Sequence, residues 1–408
     1  MEEDLNRQQQ WDGAASALVS YYCCLNGVAS ASERSKAATK KNARRSQQQP
    51  AKKKAPPSKD PLFHLPALLQ GRGADEERTE RFVAECLDKI DMERWLLNVR
   101  LLASFNRYSF GYDQVRPTQR LPVGAGATCG VDQARDELVG LLQGMPGMQV
   151  EVEPFQVRGL QGFNVIATLS PSKEESKEGE PLEGGAREER RTKLDERHVI
   201  VGAHYDSISK SPMEAAPGAV DNASGTAAVL EMAYIFSEMQ MKATQSNKDT
   251  VGETPCLQWP VKFILFSGEE QGLRGSYHHA TELKRQGKAD TVLLMINMDM
   301  IAWRRPPDFG EDVMKVESEP PHDWAIELVC REAQTHSTLP TWIKRTAAGS
   351  DHTSFIEANI PAVSTGNKDC ALYEFYHTTK DDVNQVDVEI ATQFVRTIAA
   401  TIARIAFS

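Results

Sequence analysis

From residue 198 onward, short apolar runs alternate with longer stretches whose apolar positions recur at helical spacing. Runs at 198–203, 261–266 and 292–297 read as strands, with a further short strand at 362–364. Between and after them, 224–236, 273–285, 325–333 and 386–407 read as helices, the first starting at Ser224 as a cap. Upstream, Phe82, Leu87, Ile90, Trp95, Leu97 and Leu101 predict one or two helices over 76–102, and 132–142 predicts another. Residues 150–155 and 163–169 alternate or run apolar, so they read as strands. This order predicts an α/β fold, a three-layer αβα sandwich around a mostly parallel, mixed central sheet. In such sheets, sites form where loops leave the carboxyl ends of the strands.

The polar stretches set the organisation. Residues 33–59 are Lys, Arg, Gln, Ser, Ala and Pro with almost no large apolar side chain. They bury too little surface to offset chain entropy. Residues 1–59 are therefore expected to be a disordered basic tail, with an electrostatic contact to an anionic surface as its candidate role, and 60–408 one catalytic domain. A charged insertion at 173–196 and a polar stretch at 242–254 are expected as surface loops.

No run approaches the roughly 18 apolar residues of a membrane span, so none is expected. Residues 14–31 are small and mildly apolar, but Glu2, Glu3 and Asp4 precede them, opposite in sign to a secretory leader. Localisation stays open. The formal net charge of −10 argues against nucleic acid as a partner. The 7 cysteines have irregular spacing, without a zinc-finger pattern, and read mostly as buried thiols.

The strand ends carry the chemistry. His204 and Asp206 follow the first strand of the regular region, and Asp221 lies in a Gly-Ala-Val-Asp-Asn-Ala-Ser-Gly loop entering the next helix. Glu269 and Glu270 follow the second strand, Asp299 ends the third, and His377 precedes the closing helix. Zinc takes imidazole nitrogen and carboxylate oxygen. A carboxylate can bridge two metals about 3.5–4 Å apart, and several carboxylates offset their charge. Adjacent glutamates in an extended segment point opposite ways, one toward metal and one toward water.

The stretches GAHYDS, PGAVDNASG, FSGEEQGLRGS, INMDM, GSDHTSF and YHTTKDD, in this order, resemble the co-catalytic di-zinc aminopeptidases of the MH clan, the bacterial leucyl aminopeptidase, aminopeptidase S and aminopeptidase Y type. The likeness is weaker before His198, where Phe105-Asn106-Arg107-Tyr108 resembles an early family segment. The resemblance implies two zinc ions per chain. His204, Asp221 and Asp299 would hold one, and Asp221, Glu270 and His377 the other. Asp206 would orient His204, and Glu269 would act as general base and then acid. A cis peptide after Asp221 is implied, with Gly218 and Gly225 giving the loop room. His352 is a candidate pocket residue, and Tyr376 and Tyr373 are candidate hydroxyl donors. Substrates would be peptides with a free N-terminus. His278 and His279 read as surface or helix-packing residues. The rival readings are a single-zinc glutaminyl cyclase, a non-catalytic binding protein of the same fold, and a carboxypeptidase using a basic pocket drawn from Arg274, Arg304, Arg305, Lys344 and Arg345.

Overall fold

The computed structural model describes residues 76–108, 130–157, 160–171, 196–212, 214–245 and 257–406. The tail expected at 1–59, residues 173–195 of the charged insertion and 246–254 of the polar stretch lie outside them.

The first helical stretch is two helices, α1 (Glu76–Asp88) and α2 (Met92–Ser104). Asp91 divides them, its carboxylate accepting the N–H groups of Glu93 and Arg94 at 3.0 Å each, which starts α2 afresh. Then come α3 (Gly130–Gln143), the hairpin strands β1 (Met148–Val157) and β2 (Leu160–Leu169), β3 (His198–His204), α4 (Ser224–Gln245), β4 (Val261–Phe266) and α5 (Arg274–Arg285). The remainder is β5 (Val292–Met298), β6 (Met314–Glu317), α6 (Asp323–His336), β7 (Thr341–Lys344), α7 (His352–Glu357), β8 (Ala362–Asn367) and α8 (Val388–Ala406).

The strands form one sheet in the order β1-β2-β4-β3-β5-β8-β6-β7. Its centre is parallel, β4 with β3, β3 with β5 and β5 with β8. β1 pairs antiparallel with β2, β2 with β4, and β6 with β8, so the sheet is mixed. Side-chain alternation divides its two faces. Val201, Phe263, Ile296, Val316 and Val363 face one core with helices α1–α4, α6 and α8, while Ile200, Ile264, Met295 and Ala362 face a smaller one with α5 and α7. β3 is buried along its whole length, as expected of a central parallel strand covered on both sides.

The structure differs from the sequence reading in three short elements, one helix end and one cap. β6 and β7 were not anticipated: each is four residues long and has only two apolar side chains. The short α7 was missed because one and a half turns show no period. α4 runs on to Gln245, so residues 242–245 are helix rather than loop. Finally, Ser224 does not cap α4. Its hydroxyl donates backward to the Val220 carbonyl at 2.7 Å, and Asn222 Oδ1 accepts the Gly225 N–H at 2.9 Å instead.

Candidate metal centre

The carboxyl ends of the central strands gather the predicted ligands. His204 is the last residue of β3, Glu269 and Glu270 lie in the turn after β4, and Asp299 directly follows β5. Asp221 enters from the turn before α4, and His377 from the loop after β8. His204 Nε2 lies 3.4 Å from Asp221 Oδ1 and 3.5 Å from Asp299 Oδ1. His377 Nε2 lies 3.2 Å from Asp221 Oδ2 and 3.0 Å from Glu270 Oε2. Each oxygen of Asp221 therefore faces a different imidazole. His204–Asp221–Asp299 and Asp221–Glu270–His377 each converge tightly enough to surround one cation, as does an overlapping group of His204, Glu269 and Glu270.

These atoms fit a metal better than they fit one another. His204 Nε2, His377 Nε2, Glu270 Oε1 and Asp299 Oδ1 are buried and make no hydrogen bond. A buried polar atom left unmatched costs about 1–3 kcal/mol, so their convergence leaves a place for a cation. The electrostatics agree. Although burial opposes charge on His377, the adjacent carboxylates of Asp221 and Glu270 push its pKa up to about 11. The same field holds any other cation at that point. Burial, together with the carboxylates of Glu270, Asp351 and Asp299, pushes Glu269 well above the ordinary glutamate value. Burial and Asp221 push Glu270 up to about 7.

The local backbone explains how Asp221 reaches the site. The Asp221–Asn222 peptide is cis. Gly218 sits at φ 51°, and a Cβ there would come within 2.3 Å of the Asp221 carbonyl. A Cβ on Gly225 would meet the Asn222 side chain at 2.4 Å and the Met298 carbonyl at 2.5 Å. His377 also holds a left-handed backbone at φ 54°, and its carbonyl accepts the Lys210 N–H at 2.9 Å.

Asp206 is fully buried, stands beside His204 and serves the Glu-Glu turn as well. Its carboxylate accepts the backbone N–H groups of Glu269 at 3.2 Å and Glu270 at 3.3 Å. His204 Nδ1 lies 3.2 Å from the Asp206 backbone carbonyl and 3.6 Å from the carboxylate. The carboxylate thus ties the Glu-Glu turn to the end of β3, and the carbonyl is the nearer partner of the imidazole.

Two supports were missed. Asp381 accepts the N–H groups of Val220 at 2.9 Å and Asp221 at 3.0 Å, and Tyr373 donates its hydroxyl to it at 2.9 Å. That hydroxyl is therefore committed, which removes Tyr373 as an oxyanion donor. Arg107, fully buried, donates to the carbonyls of Leu102, Tyr205, Pro217 and Gly218. Burial lowers its pKa to about 10, while Asp381, Asp206, Asp221 and Glu270 work to keep it charged. Both residues lie in stretches noted for family resemblance, but their spacing carries no ligand signature.

The candidate pocket residues differ in burial. The Tyr376 ring stacks on His377 with centroids 3.7 Å apart, and is 37% exposed. His352 opens α7, fully buried, with neither ring nitrogen hydrogen-bonded. Burial lowers its pKa to about 4, so it is neutral near pH 7. His279 stays outside the cluster, its Nδ1 3.0 Å from Glu153. His278 packs near Phe155. Of the described cysteines, Cys86 and Cys330 are buried, but Cys370 is half-buried rather than interior.

Known proteins resemble this chain in sequence and in fold. Aminopeptidase YwaD of Bacillus subtilis is 29% identical over 195 residues, 47% of this chain and 37% of its own length. A probable zinc metalloprotease of Pyrenophora teres f. teres is 33% identical over 162 residues, 39% of this chain and 29% of that protein. The chain thus spans about a third of the length of these curated relatives. The solved structure of the LapA aminopeptidase of Legionella pneumophila superposes with a TM-score of 0.56 at 18% identity, covering 88% of this chain and 80% of that one, a likeness of fold. The sequence model of peptidase family M28 matches residues 186–402, more than half of the chain, and the protein belongs to that family.

Proposed function

We propose that this chain is a zinc-dependent aminopeptidase that holds two zinc ions and releases the N-terminal residue from peptides. The observation that carries the reading is the division of Asp221, one oxygen toward His204 and the other toward His377. His204, Asp221 and Asp299 would hold one ion, and Asp221, Glu270 and His377 the other. Bound zinc supplies Lewis acidity, polarising a carbonyl and lowering the pKa of water.

The protein's own groups supply the rest. Glu269 approaches the cluster less closely than Glu270 does, 3.9 Å from His204 Nε2 against 3.0 Å between Glu270 and His377. That leaves Glu269 as the proton carrier. It takes a proton from the attacking water as the C–O bond forms, then delivers it to the amine as the C–N bond breaks. Tyr376, beside His377, offers a hydroxyl to the developing oxyanion. Asp351 is buried with neither carboxylate oxygen hydrogen-bonded, and favours a protonated substrate amine nearby.

Metal analysis of protein dialysed against zinc and then buffer tests the two-ion reading. Two zinc ions per chain are expected. One per chain would overturn it and favour the single-zinc cyclase reading.

A further inference from the structure

Three adjacent strands place a lysine beside the proposed metal centre. Met314 and Val316 belong to the larger core, so Lys315 and Glu317 project from the opposite face of β6. Met295 belongs to the smaller core, and two-residue alternation puts Asn297 and Asp299 on that same face. The Asn297 side chain confirms the direction by donating to Ser350 Oγ at 2.8 Å, just ahead of α7.

The register then aligns a row. Met298 pairs with Thr365 and Lys315 with Gly366. The Asp299 N–H donates to the Thr365 carbonyl at 3.0 Å, so the chain at Asp299 passes directly beside Gly366. A Cβ at Gly366 would lie 2.1 Å from the Asp299 carbonyl, so this position admits no side chain. Lys315 and Asp299 thus flank a bare glycine, separated by two strand spacings, roughly 10 Å between backbones.

The Lys315 ammonium is charged and accessible. It lies 3.0 Å from Glu317 Oε2, and the side chain keeps 17% of its exposure. That carboxylate oxygen nevertheless makes no hydrogen bond, so the contact is an ion pair without aligned N–H donation. Glu317 Oε1 is taken by Lys344 at 2.5 Å and by the Ala348 N–H at 3.1 Å. Burial opposes charge on Lys315, but Glu317, with Asp299 farther off, holds its pKa above the ordinary lysine value. The unpartnered His352 imidazole lies within electrostatic reach of Lys315, Glu317 and Asp299, and adds a polar wall. An apolar first residue seated here would desolvate the His352 imidazole, which has no hydrogen-bond partner, and the Lys315–Glu317 ion pair.

We infer that Lys315 is a specificity-determining residue whose ammonium receives a carboxylate of the substrate, and that this carboxylate is the side chain of an N-terminal Glu or Asp. The inference rests on the aminopeptidase reading and deepens it.

Zinc-loaded protein and its Lys315→Met and Lys315→Arg variants are assayed with Glu-Ala-amide, Asp-Ala-amide, Leu-Ala-amide and free-acid Leu-Ala. In Lys315→Met, the ratio of kcat/KM for Glu-Ala-amide over Leu-Ala-amide is expected to fall about 10- to 100-fold, the loss of one charge-assisted contact. The change should lie mainly in KM, and Lys315→Arg should retain most of the ratio. A purely structural role would lower both amides together and leave the ratio unchanged, overturning the inference. A loss confined to free-acid Leu-Ala would place the recognised carboxylate at the peptide C-terminus, and overturn the assignment to the first residue. If no peptide is cut by the unsubstituted protein, the aminopeptidase reading itself fails. Lys315 is then judged by calorimetric binding of free glutamate against free leucine, where tighter leucine binding sinks the inference.

Discussion

Asp381 accepts the backbone N–H of Asp221 at 3.0 Å, while its other oxygen takes the neighbouring N–H of Val220. The carboxylate that divides the two imidazoles is thus aimed by a second carboxylate that touches neither. Asp381→Ala leaves two buried N–H groups and the Tyr373 hydroxyl without their acceptor, at about 1–3 kcal/mol each. Zinc retention on dialysis should fall about 10–100-fold, as for other outer-sphere partners. Tyr373→Phe removes one of the three bonds and should lose much less. Equal zinc content in Asp381→Ala and the unsubstituted protein would contradict this role.

Arg107 joins four carbonyls, and two of them, Pro217 and Gly218, begin the turn that delivers Asp221. A lysine cannot span that fork. Arg107→Lys should lower stability by about 2–4 kcal/mol, in the range for breaking a buried hydrogen-bond network. The urea unfolding midpoint measures this, and an unchanged midpoint would show that water or neighbouring groups replace the guanidinium.

Glu269 and Glu270 share a turn but are assigned different tasks. Glu269→Gln should keep zinc and lose activity by about 10²–10⁴-fold, the usual scale of general acid–base catalysis. Glu270→Gln should lose zinc as well as activity. Metal content beside single-turnover rate separates them, and loss of zinc in both variants would make Glu269 a ligand.

His198, at the start of β3 and only 4% exposed, predicts a pH dependence away from the metal centre. Burial, helped by Lys262, depresses its pKa to about 3 from the ordinary 6.5. Between those values the unfolded chain holds a proton that the folded one refuses. Stability is then lost as pH falls below about 6.5, with this residue contributing a slope of about 1.4 kcal/mol per pH unit. Urea unfolding between pH 6.5 and 5 should show that slope diminished in His198→Phe. Parallel curves for the two proteins would contradict the assignment.

The sequence showed most of the sheet because β3, β4 and β5 are mostly apolar, and strand ends are where such folds collect polar side chains. His204, Glu269, Glu270 and Asp299 stood out because they follow apolar strands, and Asp221 and His377 because they lie in loops that lead toward helices. Asp381 and Arg107 did not stand out, since their work is hydrogen bonding to backbone at long sequence separation, and that leaves no periodic trace. Asp206 was recognised through the family resemblance as a partner of His204, and its carboxylate lies 3.6 Å from that imidazole. Its second contact was not legible, because only the fold brings the turn after β4 onto the carboxylate. Lys315 was invisible because its strand was: only the register through Gly366 sets it beside Asp299.

The central claim is tested most directly by following one ordinary peptide, with its amine free or acetylated, through incubation with the zinc-loaded protein and chromatography. Release of the first residue from the free-amine peptide alone, abolished by a chelator and restored by zinc, is the predicted result. Cleavage of the acetylated peptide, internal cleavage, or no release from either would contradict it.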